Sequence, residues 1–118
     1  MEQFSVSLPL TGEYLTTVRL TTGGLCTLSG FDVDSAEDFK VCVTESLLIL
    51  KREGYLRASI TFTVGEGLGC EVCGEEPFGE AEESIETEIS RALLSALLGE
   101  VEFEKNSDGK VSKISFVG

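Results

Sequence analysis

In "QFSVSLP" the apolar residues Phe4, Val6 and Leu8 alternate with polar ones, which predicts a strand with one buried face. The period then changes. "GEYLTTVRLTTGGLCTLSG" repeats apolar residues at helical spacing, with Leu15, Val18, Leu25 and Leu28 on one stripe and Gly23-Gly24 as an irregularity. A second helix is expected from "DSAED", with Asp34 as its cap and Glu37 three residues on. "KREG" closes it, basic residues near the negative end of the helix dipole and Gly54 beyond. Alternation returns in "LRASITFTV", where Ala58, Ile60, Phe62 and Val64 face one way, and after the glycine turn "GEGLG" it continues in "CEVC". Those two strands are close enough for a hairpin. "SIETEISRALLSALLG" reads as a third helix, with a buried stripe of Ile85, Ile89, Leu93 and Leu97 joined by Ala92 and Ala96, stopped by Gly99. "EVEFEK" and "KVSKISF" then flank an Asp-Gly turn in "NSDG". The order β-α-α-β-β-α-β-β predicts an α+β two-layer sandwich, helices packed on one face of a mostly antiparallel sheet.

A chain of 118 residues is long enough for one domain with its own core and short for two, so residues 1–118 are expected to form a single domain. No segment reaches the roughly 20 consecutive apolar residues of a membrane-spanning helix. The opening "MEQFSVSLPL" carries no basic region and already alternates like a strand, so no cleaved leader is expected and the protein is read as cytoplasmic. The formal charge of −12 repels polyphosphate backbones and argues against nucleic-acid binding. The same field would steer in a protein partner that carries a basic patch.

Four cysteines include one C-x-x-C, Cys70 and Cys73, and there is no histidine. A zinc site would therefore have to be all-cysteine, with Cys26 and Cys42 converging on that pair. Strand alternation instead puts Cys70 and Val72 on one face and Cys73 on the other, so buried small hydrophobes are the better reading and no metal is expected.

The second helix holds the feature that invites a functional question. Its core stripe is Ala36, Phe39, Val43, Leu47 and Leu50, and Glu45 lies about 160° from the centre of that stripe. Glu45 shares its face with Val41, Cys42, Leu48 and Ile49, apolar residues where polar ones are expected. Either a second layer covers this face, such as the loop after "CEVC" or a partner chain, or the face lines a pocket. A solvated glutamate is the bland alternative.

"EYLTTVRLTTGGLCTLSGFDVDSAEDFKVCVTES" resembles the first half of the anti-sigma factor serine/threonine kinases, bacterial regulators with the Bergerat ATP-binding fold of the GHKL superfamily. The family's helix motif is V-x-E-x-x-x-N, and Val43 to Glu45 match its opening. "GEEPFGE" is similar to the segment after the family's aspartate motif, and "ISRALLSALLGEVEFE" to its last helix and following strand. The resemblance implies a GHKL ATPase-like fold, a general base at Glu45, partners that are a sigma factor and an anti-anti-sigma protein, and homodimers.

The departures from the family point elsewhere. Its magnesium-binding asparagine is Ile49 here, and an alkyl group offers Mg²⁺ no oxygen. Its adenine-binding aspartate falls on Val72 if Gly74 is the matching glycine, or on Cys73 if "EPF" fixes the register; Glu71 is the nearest carboxylate. Where the family cradles phosphates, seven glutamates lie between Glu75 and Glu88, and carboxylates there repel a triphosphate, although glutamate is also at home in the first turn of any helix. The expected function is that of an anti-sigma regulatory factor-like protein that works by protein-protein binding, a pseudoenzyme with no cofactor. The alternative is an active serine/threonine kinase that binds Mg-ATP through displaced ligands, with Asp38 or Glu71 recruited. A third reading is a metal or redox domain nucleated by Cys70 and Cys73.

Overall fold

A computed structural model describes residues 2–77 and 85–118. The order is β1 (Glu2–Pro9), α1 (Gly12–Leu28), α2 (Val33–Arg52), β2 (Tyr55–Val64), β3 (Leu68–Pro77), α3 (Ile85–Leu98), β4 (Val101–Lys105) and β5 (Val111–Val117). The strands form one sheet in the order β1-β2-β3-β5-β4, with every pairing antiparallel. Among the described residues, three helices and a five-stranded antiparallel sheet make the α+β architecture that the alternation of periods predicts. No helix among the described residues is long and apolar enough to cross a membrane.

The β2–β3 hairpin is the spine of the sheet. Its register runs from Val64↔Leu68 to Tyr55↔Pro77, so strand pairing continues through Cys73 and Gly74 rather than ending before them. Ala58, Ile60, Phe62, Cys70 and Val72 point to the helices and are buried, whereas Thr61, Glu71 and Cys73 point to the open face. At the other hairpin, Asn106 Oδ1 accepts from the backbone N–H of Asp108 and Lys110 at 2.9 and 3.1 Å, and Gly109 takes the left-handed φ of 78° that the turn requires.

The cap of α2 lies two residues earlier than the sequence pattern indicates. Asp32, not Asp34, is the N-cap, and its Oδ1 accepts from Ser35 N at 2.7 Å. Asp32 has the extended backbone that a cap needs, and Asp34 is already inside the first turn, where its charge still favours the helix N-terminus. At the far end Glu53 N bonds to Ile49 O, and Gly54 at φ 100° turns the chain into β2.

Two helical stripes differ from expectation. In α1 the buried residues are Val18, Thr22, Leu25 and Cys26, while Leu28 is 74% exposed. Leu28 lies about 80° round the helix from Val18, and the hydroxyl of Thr22 becomes tolerable in the core because it donates to Val18 O at 2.8 Å. In α3 the buried residues are Ser90 and Leu94, whereas Ile85 and Ile89 are 72% and 59% exposed and Ala92 and Ala96 face solvent with them. The spacing by four fitted one face of a helix well, but the face turned inward is the opposite one. The inward face carries Leu94, with Leu97 and Leu98 packed on the core, beside the polar Ser90.

Candidate functional site: the polar contact between α2 and α3

Glu45 sits on the fourth turn of α2 and is half-buried. Ser90 Oγ, 2% exposed, donates to Glu45 Oε2 at 2.5 Å. Arg52 Nη1 in turn donates to Ser90 Oγ at 3.1 Å, and Arg52 Nε lies 3.9 Å from a carboxylate oxygen of the exposed Glu86. The covering layer on the Glu45 face is thus α3. The charges of Glu45 and Arg52 meet through one serine hydroxyl rather than directly. A buried hydroxyl that donates to one charged group and accepts from another uses its hydrogen and a lone pair, which makes Ser90 the residue that α3 turns inward. Sequence periodicity missed it because a serine scores as polar; the signal available was a small hydroxyl flanked by Leu93, Leu94 and Leu97 on the following turns.

The remaining positions that the sequence singles out do not join Glu45 in a cavity of polar groups. Ile49, one turn on, is fully buried, as are Leu47 and Leu50 beside it. Val72 is fully buried in the middle of the sheet, opposite Ile60 on β2 and Ile114 on β5. Cys73 is half-buried on the open face of the sheet, with its thiol 3.9 Å from a carboxylate oxygen of Glu71. Glu71 pairs with Lys113 at 3.0 Å on that same face, so it points away from the layer that holds Glu45. Gly74 is opposite Ala58 in the ladder, and a Cβ there would stand 2.6 Å from the ring of Tyr55. The ring of Tyr55 covers that backbone, and its hydroxyl accepts from Asn106 Nδ2 at 3.3 Å. Asp38, the other carboxylate considered as a displaced ligand, is exposed on α2.

The thiols are governed by burial. Burial pushes the Cys42 thiol up to about 12, with the carboxylates of Asp38 and Glu45 adding to the effect. Burial also raises Cys70, and Cys26 despite the nearby Lys40. All four cysteines are free, and the two of "CEVC" lie on opposite faces of β3. Raised thiols of this kind are poor nucleophiles and poor ligands at neutral pH. Of the acidic segment, Glu75, Glu76, Glu86 and Glu88 are described and Glu76, Glu86 and Glu88 are exposed, while residues 78–84, with three more glutamates, lie outside the described residues.

No protein-family model matches the chain. Among curated proteins, the serine-protein kinase RsbW of Bacillus cereus (strain AH187) is 30% identical over 54 residues. That stretch is 46% of this chain and 34% of RsbW, so the chain matches about a third of the length of that relative. The similarity is weak and partial, and it lies with the same class of protein that the α1–α2 sequence resembles.

Proposed function

We propose that this chain is an anti-sigma regulatory factor-like protein, a single GHKL-type domain over residues 1–118, that acts by binding another protein and carries out no phosphoryl transfer. The similarity to RsbW supports the class, and a sigma factor or an anti-anti-sigma protein is the kind of partner that class implies. The observation that carries the loss of activity is the state of Glu45. Its carboxylate is held by Ser90 of the same chain, and the side chain one turn on, Ile49, is aliphatic and fully buried. A phosphoryl-transfer site needs groups that position the triphosphate and neutralise its charge, and Mg²⁺ needs oxygen. Neither Ile49 nor Val72 offers oxygen, Gly74 is occupied by packing against Tyr55, and Glu71 faces the other side of the sheet. The donor set therefore does not fit Mg-ATP, and we assign no cofactor and a regulatory site in the cytoplasm.

The test is a melting curve in millimolar Mg-ATP, with phosphate incorporation into a purified sigma factor or anti-anti-sigma protein as the second readout. A bound ligand at about 100 times its Kd would stabilise the fold by roughly 2.7 kcal/mol and move Tm by several degrees. An unchanged Tm and no labelled partner are expected. A shift of that size, or label on the partner, would return the chain to the active kinases.

A further inference from the structure

The two edges of the sheet differ in kind. β4 is five residues long, carries Glu102, Glu104 and Lys105, and shifts register against β5 between Glu104 and Lys105. Short length, charge and a bulge are the devices that stop an edge strand from adding a neighbour. β1 has none of them. Its eight residues pair with β2 in unbroken register from Glu2↔Val64 to Pro9↔Arg57, its one charge is Glu2, and its one proline is the last residue. Alternate residues of such a strand direct both N–H and C=O away from the partner, and among the described residues no strand takes up that row. Glu2 to Ser5, and Ser7, are exposed.

Under this edge, between β1 and α1, lies an apolar cleft lined by Val6, Leu8, Val18, Ile60 and Phe62, together with the exposed Tyr14 and Thr17 of α1. Its volume is about 190 Å³, below the roughly 300–1,000 Å³ of small-molecule sites, so it has room for a side chain rather than a metabolite. We propose that β1 is a docking edge, on which an extended segment of a different protein pairs as a further strand and seats one apolar side chain in this cleft. A strand fits both features at once, because its backbone meets the open row of donors and acceptors while every second side chain turns toward the α1 layer. Charge selects the kind of segment. Glu66, in the turn after β2, lies at the Glu2 end of the edge, and the whole chain carries −12. A segment with basic residues is therefore drawn in, whereas a second copy would bring the same −12 and be repelled. Arg57, whose Nη2 donates to Ser7 Oγ at 3.4 Å, leaves the Pro9 end less acidic. Docking at β1 deepens the reading of the chain as a protein-binding module and rests on that reading.

The probe is the synthetic peptide Lys-Thr-Val-Thr-Leu-Thr-Val-Thr-Lys, capped at both ends, titrated into the full chain and followed by amide NMR. Saturable shifts are expected at β1 and along α1 from Tyr14 to Thr21, at submillimolar to millimolar peptide. Methylating alternate peptide amides should abolish binding when the methyls fall on one edge of the peptide and preserve it when they fall on the other, since one edge alone pairs with β1. Thr17→Arg should obstruct the cleft and weaken binding about tenfold at unchanged Tm, because that side chain is exposed, and Thr17→Ala should not. The same peptide ended in Glu should bind more weakly, by a margin that closes in high salt. Shifts absent from β1, binding of both methylated peptides, binding that survives Thr17→Arg, equal binding of the Lys- and Glu-ended peptides, or β1 shifts that grow with protein concentration in the absence of peptide would each overturn the docking edge. A purified sigma factor or anti-anti-sigma protein separates this outcome from the fate of the proposed function. If such a protein binds and the peptide does not, the docking edge alone is lost; if the peptide binds at β1 and neither protein does, the proposed function alone is lost.

Discussion

Ser90 Oγ and Glu45 Oε2 lie 2.5 Å apart across the contact of α2 with α3, and Arg52 reaches the same hydroxyl from the next turns of α2. One hydroxyl therefore serves two ionic groups that would otherwise be half-buried without a shared partner. Ser90→Ala removes it and leaves both to find water or to strain toward each other. The expected cost is about 1–3 kcal/mol, the range for unpairing a buried polar group, read as a drop in the urea midpoint at constant slope. Glu45→Gln keeps an acceptor oxygen and should cost less than Ser90→Ala. A double-mutant cycle between Ser90→Ala and Glu45→Ala should show coupling, and strict additivity would mean that the contact contributes nothing of its own.

Gly74 and the ring of Tyr55 form a second relationship with a measurable consequence. Tyr55 is 6% exposed, and an added Cβ at Gly74 would stand 2.6 Å from its ring. Gly74→Ala is expected to destabilise by about 1–3 kcal/mol through overpacking. In a Tyr55→Leu background the ring is gone and the penalty should shrink. If the alanine costs the same with and without the ring, Gly74 is required for some reason other than this packing.

The element order, the pairing of both hairpins and the inward residues of β2 and β3 were all legible in the chain, because period-two alternation next to glycine turns specifies register directly. The orientation of α3 was not. Ile85, Ile89, Leu93 and Leu97 form as good a stripe as Ser90, Leu94, Leu97 and Leu98, and local hydrophobicity prefers the isoleucines. The inward face buries Leu94, with Leu97 and Leu98 packed on the core, and meets Glu45 through Ser90, a partner forty-five residues away that no window along the sequence contains. The candidate site was half legible for the same reason. Glu45 stood out as a carboxylate on an apolar face, and Ile49 and Val72 as aliphatic side chains at the positions where the family resemblance implies oxygen ligands. The group that covers Glu45 comes from another helix, and the alternation that placed Cys73 and Glu71 on the far side of the sheet could be read without it.

The α2 cap makes acid stability partly a property of one aspartate. Hydrogen bonds from Ser35, backbone first and side chain second, hold the Asp32 carboxyl below the usual carboxylate range. The folded value lies below the unfolded one, so this contribution is fully present above the ordinary aspartate value and is lost as pH falls through the lowered one. Asp32→Asn retains an acceptor for Ser35 N and removes the titration. Its urea midpoint should vary less with pH than that of the parent below about pH 4, with little difference between the two at pH 7. Equal acid slopes in the two proteins would remove Asp32 from the account.

The thiols give a site-by-site readout of how the core opens. Cys26, Cys42 and Cys70 are buried and Cys73 is half-buried on the open sheet face. Burial raises Cys73 too, helped by the Glu71 carboxylate, but Lys113 pulls it back toward its ordinary value. Thiolate is the reactive form, so a thiol at about 12, as for Cys42, holds roughly one part in ten thousand of thiolate at pH 8 even before steric exclusion. In native protein at pH 8, Cys73 should label first, and Cys42 and Cys70 only at the rate at which the fold opens. Lys113→Ala should slow Cys73 further, because it removes the cation and leaves Glu71 unopposed beside the thiol. Mass spectrometry of labelled peptides over time resolves each position. Labelling of Cys42 or Cys70 as fast as Cys73 would mean that the contact of α2 with β3 is open in the native state, and that the packing invoked here around Ile49 and Val72 does not hold.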